Sequence, residues 1–76
     1  MKKILVIHGP NLDLLGKREP EIYGKITIGE INKALKNAAA KNRAKLEIFQ
    51  SNHEGEIVTL IGRAPKKFSG ILINPA

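Results

Sequence analysis

The sequence has 76 residues, of which 42% are hydrophobic and 26% are charged, and 13 Lys and Arg outnumber 7 Asp and Glu to give a formal net charge of +6. This length excludes two independent domains, and a chain of this size hides only about 60% of its unfolded surface, so a small stability is predicted. Because it has no cysteine, the sequence excludes disulfides, a thiol nucleophile and a thiolate zinc site. The apolar runs Ile4–Ile7 and Ile71–Ile73 are far shorter than a signal-peptide core or a membrane span, so we expect an untargeted, soluble, cytoplasmic protein.

The excess of positive charge favours an anionic partner. Five basic residues lie close together in the sequence: Lys33, Lys36, Lys41, Arg43 and Lys45. No nucleic-acid recognition motif accompanies them, so we interpret this cluster as the exposed face of a helix and its exit. A basic nucleic-acid-binding module is the alternative. We expect a small anionic substrate, with neither nucleic acid nor a membrane as a partner.

The first predicted element is a strand that ends at His8. The β-branched apolar run before His8 predicts a central strand covered on both faces, and Gly9-Pro10 breaks it. An irregular stretch follows from Gly9 to Ile26. This stretch is long for a connection between a strand and a helix, and loops of such length without structure of their own are usually functional.

Two capping boxes then predict two helices. Thr27–Glu30 predicts the start of the first helix, which has apolar residues at helical spacing and should end near Asn42 or Arg43. Lys45–Phe49 alternates polar and apolar residues, which predicts a half-exposed edge strand. Ser51–Glu54 predicts the start of a second helix, and Pro65 closes its apolar stripe.

The last predicted element is a third strand over Phe68–Ile73, again patterned as covered on both faces. The β-α-β-α-β alternation predicts a parallel α/β sheet with strand order 2-1-3 and helices on both faces, as in flavodoxin-like folds. Ligands bind such sheets at the carboxyl ends of the strands where the order reverses, and Gly9 and Asn74 emerge there. Because the third strand is patterned for an interior position, we expect residues 1–76 to form a single incomplete domain, which either further chain or a second chain completes.

Four residues in this arrangement could take part in binding or chemistry: Asn11, Arg18, Tyr23 and Asn74. Gly9–Arg18 has a superficial likeness to a phosphate-binding loop, but six residues rather than four separate its glycines and no Ser or Thr follows Lys17. Arg18 could stabilise Tyr23 as a phenolate, since a nearby guanidinium lowers the ordinary phenol pKa of about 10; the alternative is a packed ring and a solvated cation.

Asn11 and Asn74 follow strand ends, where Asn either closes a turn or faces a ligand. His8 is interpreted as a packed or surface residue. Ser51, Asn52 and His53 are attributed to helix capping. The spacing of His and carboxylate residues does not predict a metal site.

Five segments together resemble type II 3-dehydroquinate dehydratases along the whole chain. They are Gly9–Leu12, Leu15–Pro20, Ile22–Gly24, Phe49–Glu56 and Gly70–Pro75. The resemblance implies a flavodoxin-like fold and a homododecamer built from trimers. It also implies a hydro-lyase of the shikimate pathway, in aromatic amino acid biosynthesis, that converts 3-dehydroquinate to 3-dehydroshikimate by anti elimination through an enolate, without cofactor or metal.

The resemblance also implies roles for four residues. Tyr23 matches the catalytic base, and Arg18 matches an arginine of an active-site lid, here the loop at about 9–26, that helps keep the base ionised. Asn11 matches a residue that orients a water at the enolate oxygen, and Asn74 matches a substrate-binding residue.

Members of the resembled family are about twice as long as this sequence. Their additional segment supplies the histidine that protonates the leaving hydroxyl, and neither His8 nor His53 matches its position. We therefore expect the 76 residues alone to lack the general acid and to be inactive. A non-catalytic flavodoxin-like module that binds a small anion is the alternative.

Overall fold

The computed structural model describes residues 1–17, 21 and 24–75. In chain order the elements are strand β1 (Lys2–His8), a 3₁₀ turn (Leu12–Leu14), helix α1 (Ile28–Lys41), strand β2 (Ala44–Gln50), helix α2 (Glu54–Arg63), a second 3₁₀ turn (Ala64–Lys66) and strand β3 (Gly70–Asn74). The three strands are parallel and lie in the order β2-β1-β3. This confirms both the predicted alternation of elements and the predicted 2-1-3 order.

Strand β1 lies at the centre of the described sheet. Val6 is opposite Ile48 of β2 on one side and Leu72 of β3 on the other. Leu5, Val6 and Ile7 are at most 1% exposed, so side chains on both faces of the strand are buried. The continuous apolar pattern of this strand therefore predicted its position correctly.

The two helices cover opposite faces of the sheet. Leu5 and Ile7 point to one face, where Ile57 of α2 packs against the cluster that they form. His8 points to the other face, because side chains alternate along a strand, and its ring contacts Asn32 of α1. This arrangement confirms the predicted helices on both faces and follows from right-handed crossovers that run in opposite directions from β1.

One of the two predicted capping boxes is formed in part, because the Glu30 carboxylate accepts from the Thr27 hydroxyl at 3.4 Å. Thr27 Oγ1 accepts a hydrogen bond from the Glu30 N–H at 3.2 Å, and α1 begins at Ile28 as predicted. The prediction that Ser51 caps α2 is wrong: the N-cap residue is His53, whose side chain makes no capping bond. Ser51 Oγ instead accepts from the His53 N–H at 3.0 Å, two residues on, and this turn competes with a cap.

Strand β3 differs from its prediction in bounds and in burial. It starts at Gly70 rather than Phe68, and among the described strands only β1 pairs with it. Its three apolar residues, Ile71, Leu72 and Ile73, are 39%, 47% and 45% exposed, so the prediction of a strand covered on both faces is wrong for the described part of the chain. Helix α1 contacts β2, and Ile57 and Leu60 of α2 pack against β1.

No helix among the described residues is long and apolar enough to cross a membrane.

Candidate active site

The carboxyl ends of β1 and β3 meet at one edge of the sheet. His8 is opposite Asn74 in the strand register, and the Gly9 N–H donates to the Asn74 carbonyl oxygen at 2.8 Å. A Cβ atom on Gly9 would lie 2.6 Å from the Pro75 carbonyl oxygen, closer than real Cβ atoms approach. Glycine at this position therefore allows the two strand ends to close, and this brings the segment before Asn11 against Asn74.

A buried histidine lies between two asparagines at this edge. His8 is 1% exposed, with Nε2 2.8 Å from Asn32 Oδ1 and Nδ1 3.4 Å from Asn74 Nδ2. An amide oxygen can only accept and an amide nitrogen can only donate, so Nε2 has the proton and Nδ1 accepts. The ring therefore connects α1 to the end of β3.

Sequence reasoning missed this contact, although the sequence contains a signal for it. Asn32 lies four residues after Ile28 and three before Leu35, within the apolar stripe of α1. A polar residue in such a stripe faces the core and needs a buried hydrogen-bond partner. His8, at the buried end of β1, has the same need.

A second polar group fixes the backbone at Asn11. Asn11 has φ 66° and ψ 1°, a left-handed conformation that asparagine tolerates better than most residues. Its N–H donates to Asn52 Oδ1 at 2.9 Å, and Gln50 Nε2 donates to the same oxygen at 3.0 Å and to the Gly9 carbonyl oxygen at 3.1 Å. The attribution of Asn52 to helix capping is therefore wrong, because its side chain binds a loop 41 residues away.

The base of the loop at about 9–26 is closed by Leu12 and Gly16. Leu12 is only 8% exposed and anchors the 3₁₀ turn. Gly16 has φ 77°, and a Cβ there would lie 2.7 Å from the Lys25 carbonyl oxygen, so its glycine permits a close approach of the two ends of the loop. Arg18 and Tyr23, the candidate cation and base, lie outside the described residues.

The described part of the site offers neutral amides rather than a metal centre. Asn11 is exposed and Asn74 is half-buried, both at the carboxyl edge of the sheet. Among residues 1–17, 21 and 24–75, no three His, Cys, Asp or Glu residues lie close enough to hold a metal ion. Amide groups can orient a ligand or a water by hydrogen bonds without exchanging protons with it.

These features define a flavodoxin-like α/β protein whose candidate site residues Asn11 and Asn74 lie at the strand ends where the sheet order reverses. Residues 2–76 match the family described as dehydroquinase class II. The chain belongs to this family, as its sequence motifs indicated.

The curated relatives that match the chain over its whole length include two 3-dehydroquinate dehydratases. The 3-dehydroquinate dehydratase of Caldanaerobacter subterraneus subsp. tengcongensis is 57% identical over 76 residues, which are 100% of this chain and 51% of the relative. The 3-dehydroquinate dehydratase of Endomicrobium trichonymphae is 54% identical over 76 residues, which are 100% of this chain and 53% of the relative. The chain therefore spans about half the length of the curated relatives that it matches.

Solved structures of the family share the fold of this chain. The type II dehydroquinase of Butyrivibrio crossotus superposes with a TM-score of 0.89 at 41% identity, over 99% of this chain and 52% of that structure. The type II dehydroquinase of Propionibacterium acnes gives a TM-score of 0.87 at 36% identity, over 100% of this chain and 52% of that structure.

Proposed function

We propose that this chain supplies the proton-abstracting part of a hydro-lyase active site that converts 3-dehydroquinate to 3-dehydroshikimate in the shikimate pathway. The observation that supports this most strongly is the 57% identity, over all 76 residues, to a 3-dehydroquinate dehydratase. The net charge of +6 suits an anionic substrate, because it raises the local concentration of anions.

The reaction begins with removal of a proton from the carbon next to the substrate ketone. Tyr23 is the proposed base, and it must be a phenolate to accept that proton. Arg18 is the proposed cation that stabilises the phenolate, since a positive charge nearby favours the ionised form of a phenol. The electron pair left by the proton moves onto the ketone oxygen and forms an enolate, which then expels the hydroxyl on the opposite face.

Amides at the carboxyl edge of the sheet suit the other requirements of this reaction. Asn11 orients a water at the developing enolate oxygen in our proposal, and its backbone is held by Asn52 in support of that role. Asn74 binds the substrate, and its amide nitrogen is held by His8. Prearranged polar groups of this kind stabilise developing negative charge without reorganising during the reaction.

The general acid that protonates the leaving hydroxyl is, in our proposal, not among these 76 residues. His8 is 1% exposed and both of its ring nitrogens have partners, and His53 is exposed at the start of α2. The 76-residue polypeptide alone is therefore proposed to be inactive. The complete enzyme is proposed to be a cytoplasmic homododecamer built from trimers, as the family resemblance implies.

A chimaera tests the proposed function directly. Residues 1–76 replace the matching half of the Caldanaerobacter enzyme, and dehydration is followed by the ultraviolet absorbance of the conjugated enone in the product. We expect turnover from the chimaera and none from the 76-residue polypeptide. In the chimaera, Tyr23→Phe should lower kcat at least about 100-fold, the usual loss on removing a general base.

Two controls make the result specific. Ser69→Ala also deletes one hydroxyl, from an exposed residue at the opposite end of β3, and should leave kcat unchanged. Quinate, which has a hydroxyl in place of the ketone and so cannot react, should bind the chimaera and its Tyr23→Phe variant equally. Full turnover by Tyr23→Phe would contradict the role of this residue, and quinate binding without turnover by the chimaera would favour the small-anion binding module.

A further inference from the structure

We propose that His8 is a positioning residue that fixes the amide of Asn74, so that the Asn74 oxygen faces the ligand as a hydrogen-bond acceptor. The hydrogen bonds in this inference come from the structure alone. Its statement about the ligand rests on the proposed function.

The direction of each hydrogen bond follows from which atoms can donate. Asn32 presents Oδ1 to His8 Nε2 at 2.8 Å, which places the ring proton on Nε2. His8 Nδ1 then has only a lone pair, and it faces Asn74 Nδ2 at 3.4 Å. Because the ring is 1% exposed, water does not offer an alternative partner that would stabilise the other tautomer.

This chain of hydrogen bonds determines which end of the Asn74 amide is free. One N–H of Nδ2 is directed at His8, and Oδ1 has no hydrogen-bond partner among the described residues. The side chain therefore presents an oxygen acceptor, which suits the hydroxyl groups of a polyhydroxylated ring such as 3-dehydroquinate. Without His8, the amide could rotate by half a turn and present its nitrogen instead.

The histidine tautomer tests the structural part of the proposal. In the 76-residue chain labelled with ¹⁵N at its imidazoles, two-dimensional NMR distinguishes Nε2–H from Nδ1–H rings. We expect His8 to be Nε2–H only, whereas exposed His53 should exchange between both forms and serves as an internal reference. Asn32→Leu should return His8 to a mixture of forms and shift the Asn74 side-chain NH₂ signals, whereas Asn37→Leu, at an exposed position of the same helix, should do neither.

Substitutions of His8 in the chimaera test whether it acts by hydrogen bonding or by filling space. His8→Phe keeps the ring but removes both nitrogens, and should raise KM about 3- to 10-fold with kcat within about twofold, as expected for one lost hydrogen bond in binding. His8→Asn places an acceptor near the former Nδ1 and should restore KM. His8→Gln places its amide near the former Nε2 and should not.

The outcomes separate this proposal from the proposed function. An Nδ1–H ring at His8 would overturn the positioning role. So would a KM that rises as the side chain becomes smaller, lowest for His8→Phe and highest for His8→Asn. A chimaera without turnover would count against the proposed function and leave the NMR result to decide the role of His8. Unchanged Asn74 signals in Asn32→Leu would also overturn the proposal.

Discussion

The close approach of Gly9 to Pro75 makes Gly9→Ala the most informative single change at the strand ends. An added Cβ would lie 2.6 Å from the Pro75 carbonyl oxygen and 3.0 Å from its carbonyl carbon. Both atoms are backbone, so no side-chain rotation relieves the overlap, and β3 must move away from β1 by several tenths of an ångström. That movement weakens the bond from the Gly9 N–H to the Asn74 carbonyl oxygen, now 2.8 Å long.

The expected loss of stability has two parts. Overpacking in a well-packed region costs about 1–3 kcal/mol, and a weakened hydrogen bond adds about 0.5–1.5 kcal/mol. We therefore expect Gly9→Ala to lower the free energy of unfolding by about 1.5–4.5 kcal/mol. This is a large part of the roughly 4–11 kcal/mol that is typical of a folded chain of 76 residues.

Urea unfolding followed by circular dichroism measures this change, with Gly62→Ala as the matched control. Gly62 lies within α2 and nothing lies within 4 Å of a Cβ added there. Alanine is favoured over glycine inside a helix by about 0.5–1 kcal/mol, so the same substitution should stabilise the protein at this position. If the free energy of unfolding of Gly9→Ala stays within about 0.5 kcal/mol of that of the unaltered chain, the two strand ends are not in close contact and the reasoning is wrong.

Three further changes test separate features of the structure. Thr27→Ala removes the side-chain cap of α1 and should lower the free energy of unfolding in urea by about 1 kcal/mol. Thr59→Ala, at an exposed position within α2, should lower it by less. Asn52→Ala removes the acceptor of the Asn11 N–H, so hydrogen exchange at Asn11 should be several-fold faster; unchanged exchange would refute that bond. Leu72→Lys places a charge on an exposed strand and should reduce light scattering at high concentration without changing unfolding by more than about 0.5 kcal/mol. Scattering equal to that of the unaltered chain would refute this.

The parts of the structure that depend on neighbouring residues could be predicted from the sequence. The cap at Thr27 involves a residue three positions away, and the burial of β1 follows from a short apolar run. Errors occurred where a side chain had a choice of partners. Ser51 binds the N–H of His53 rather than capping a helix, and the sequence pattern does not distinguish these alternatives.

The contacts that organise the candidate site are long-range, which explains why they were missed. The ring of His8 contacts Asn32 and Asn74, which are 24 and 66 residues away in the chain. Periodicity can show that such residues face the core, but their pairing is decided only when the strands align. The family resemblance singled out Asn11 and Asn74, and it did not indicate the groups that hold them.

These contacts give each candidate amide a support on a different strand. Asn11 follows β1 and is held from the end of β2 through Asn52, while Asn74 ends β3 and is held from the end of β1 through His8. A shift in the register of either outer strand would therefore misplace one of the two amides. The parallel pairing of β1 with both neighbours is thus a requirement of the site as well as of the fold, and changes at Gly9 should disturb Asn74 before they disturb Asn11.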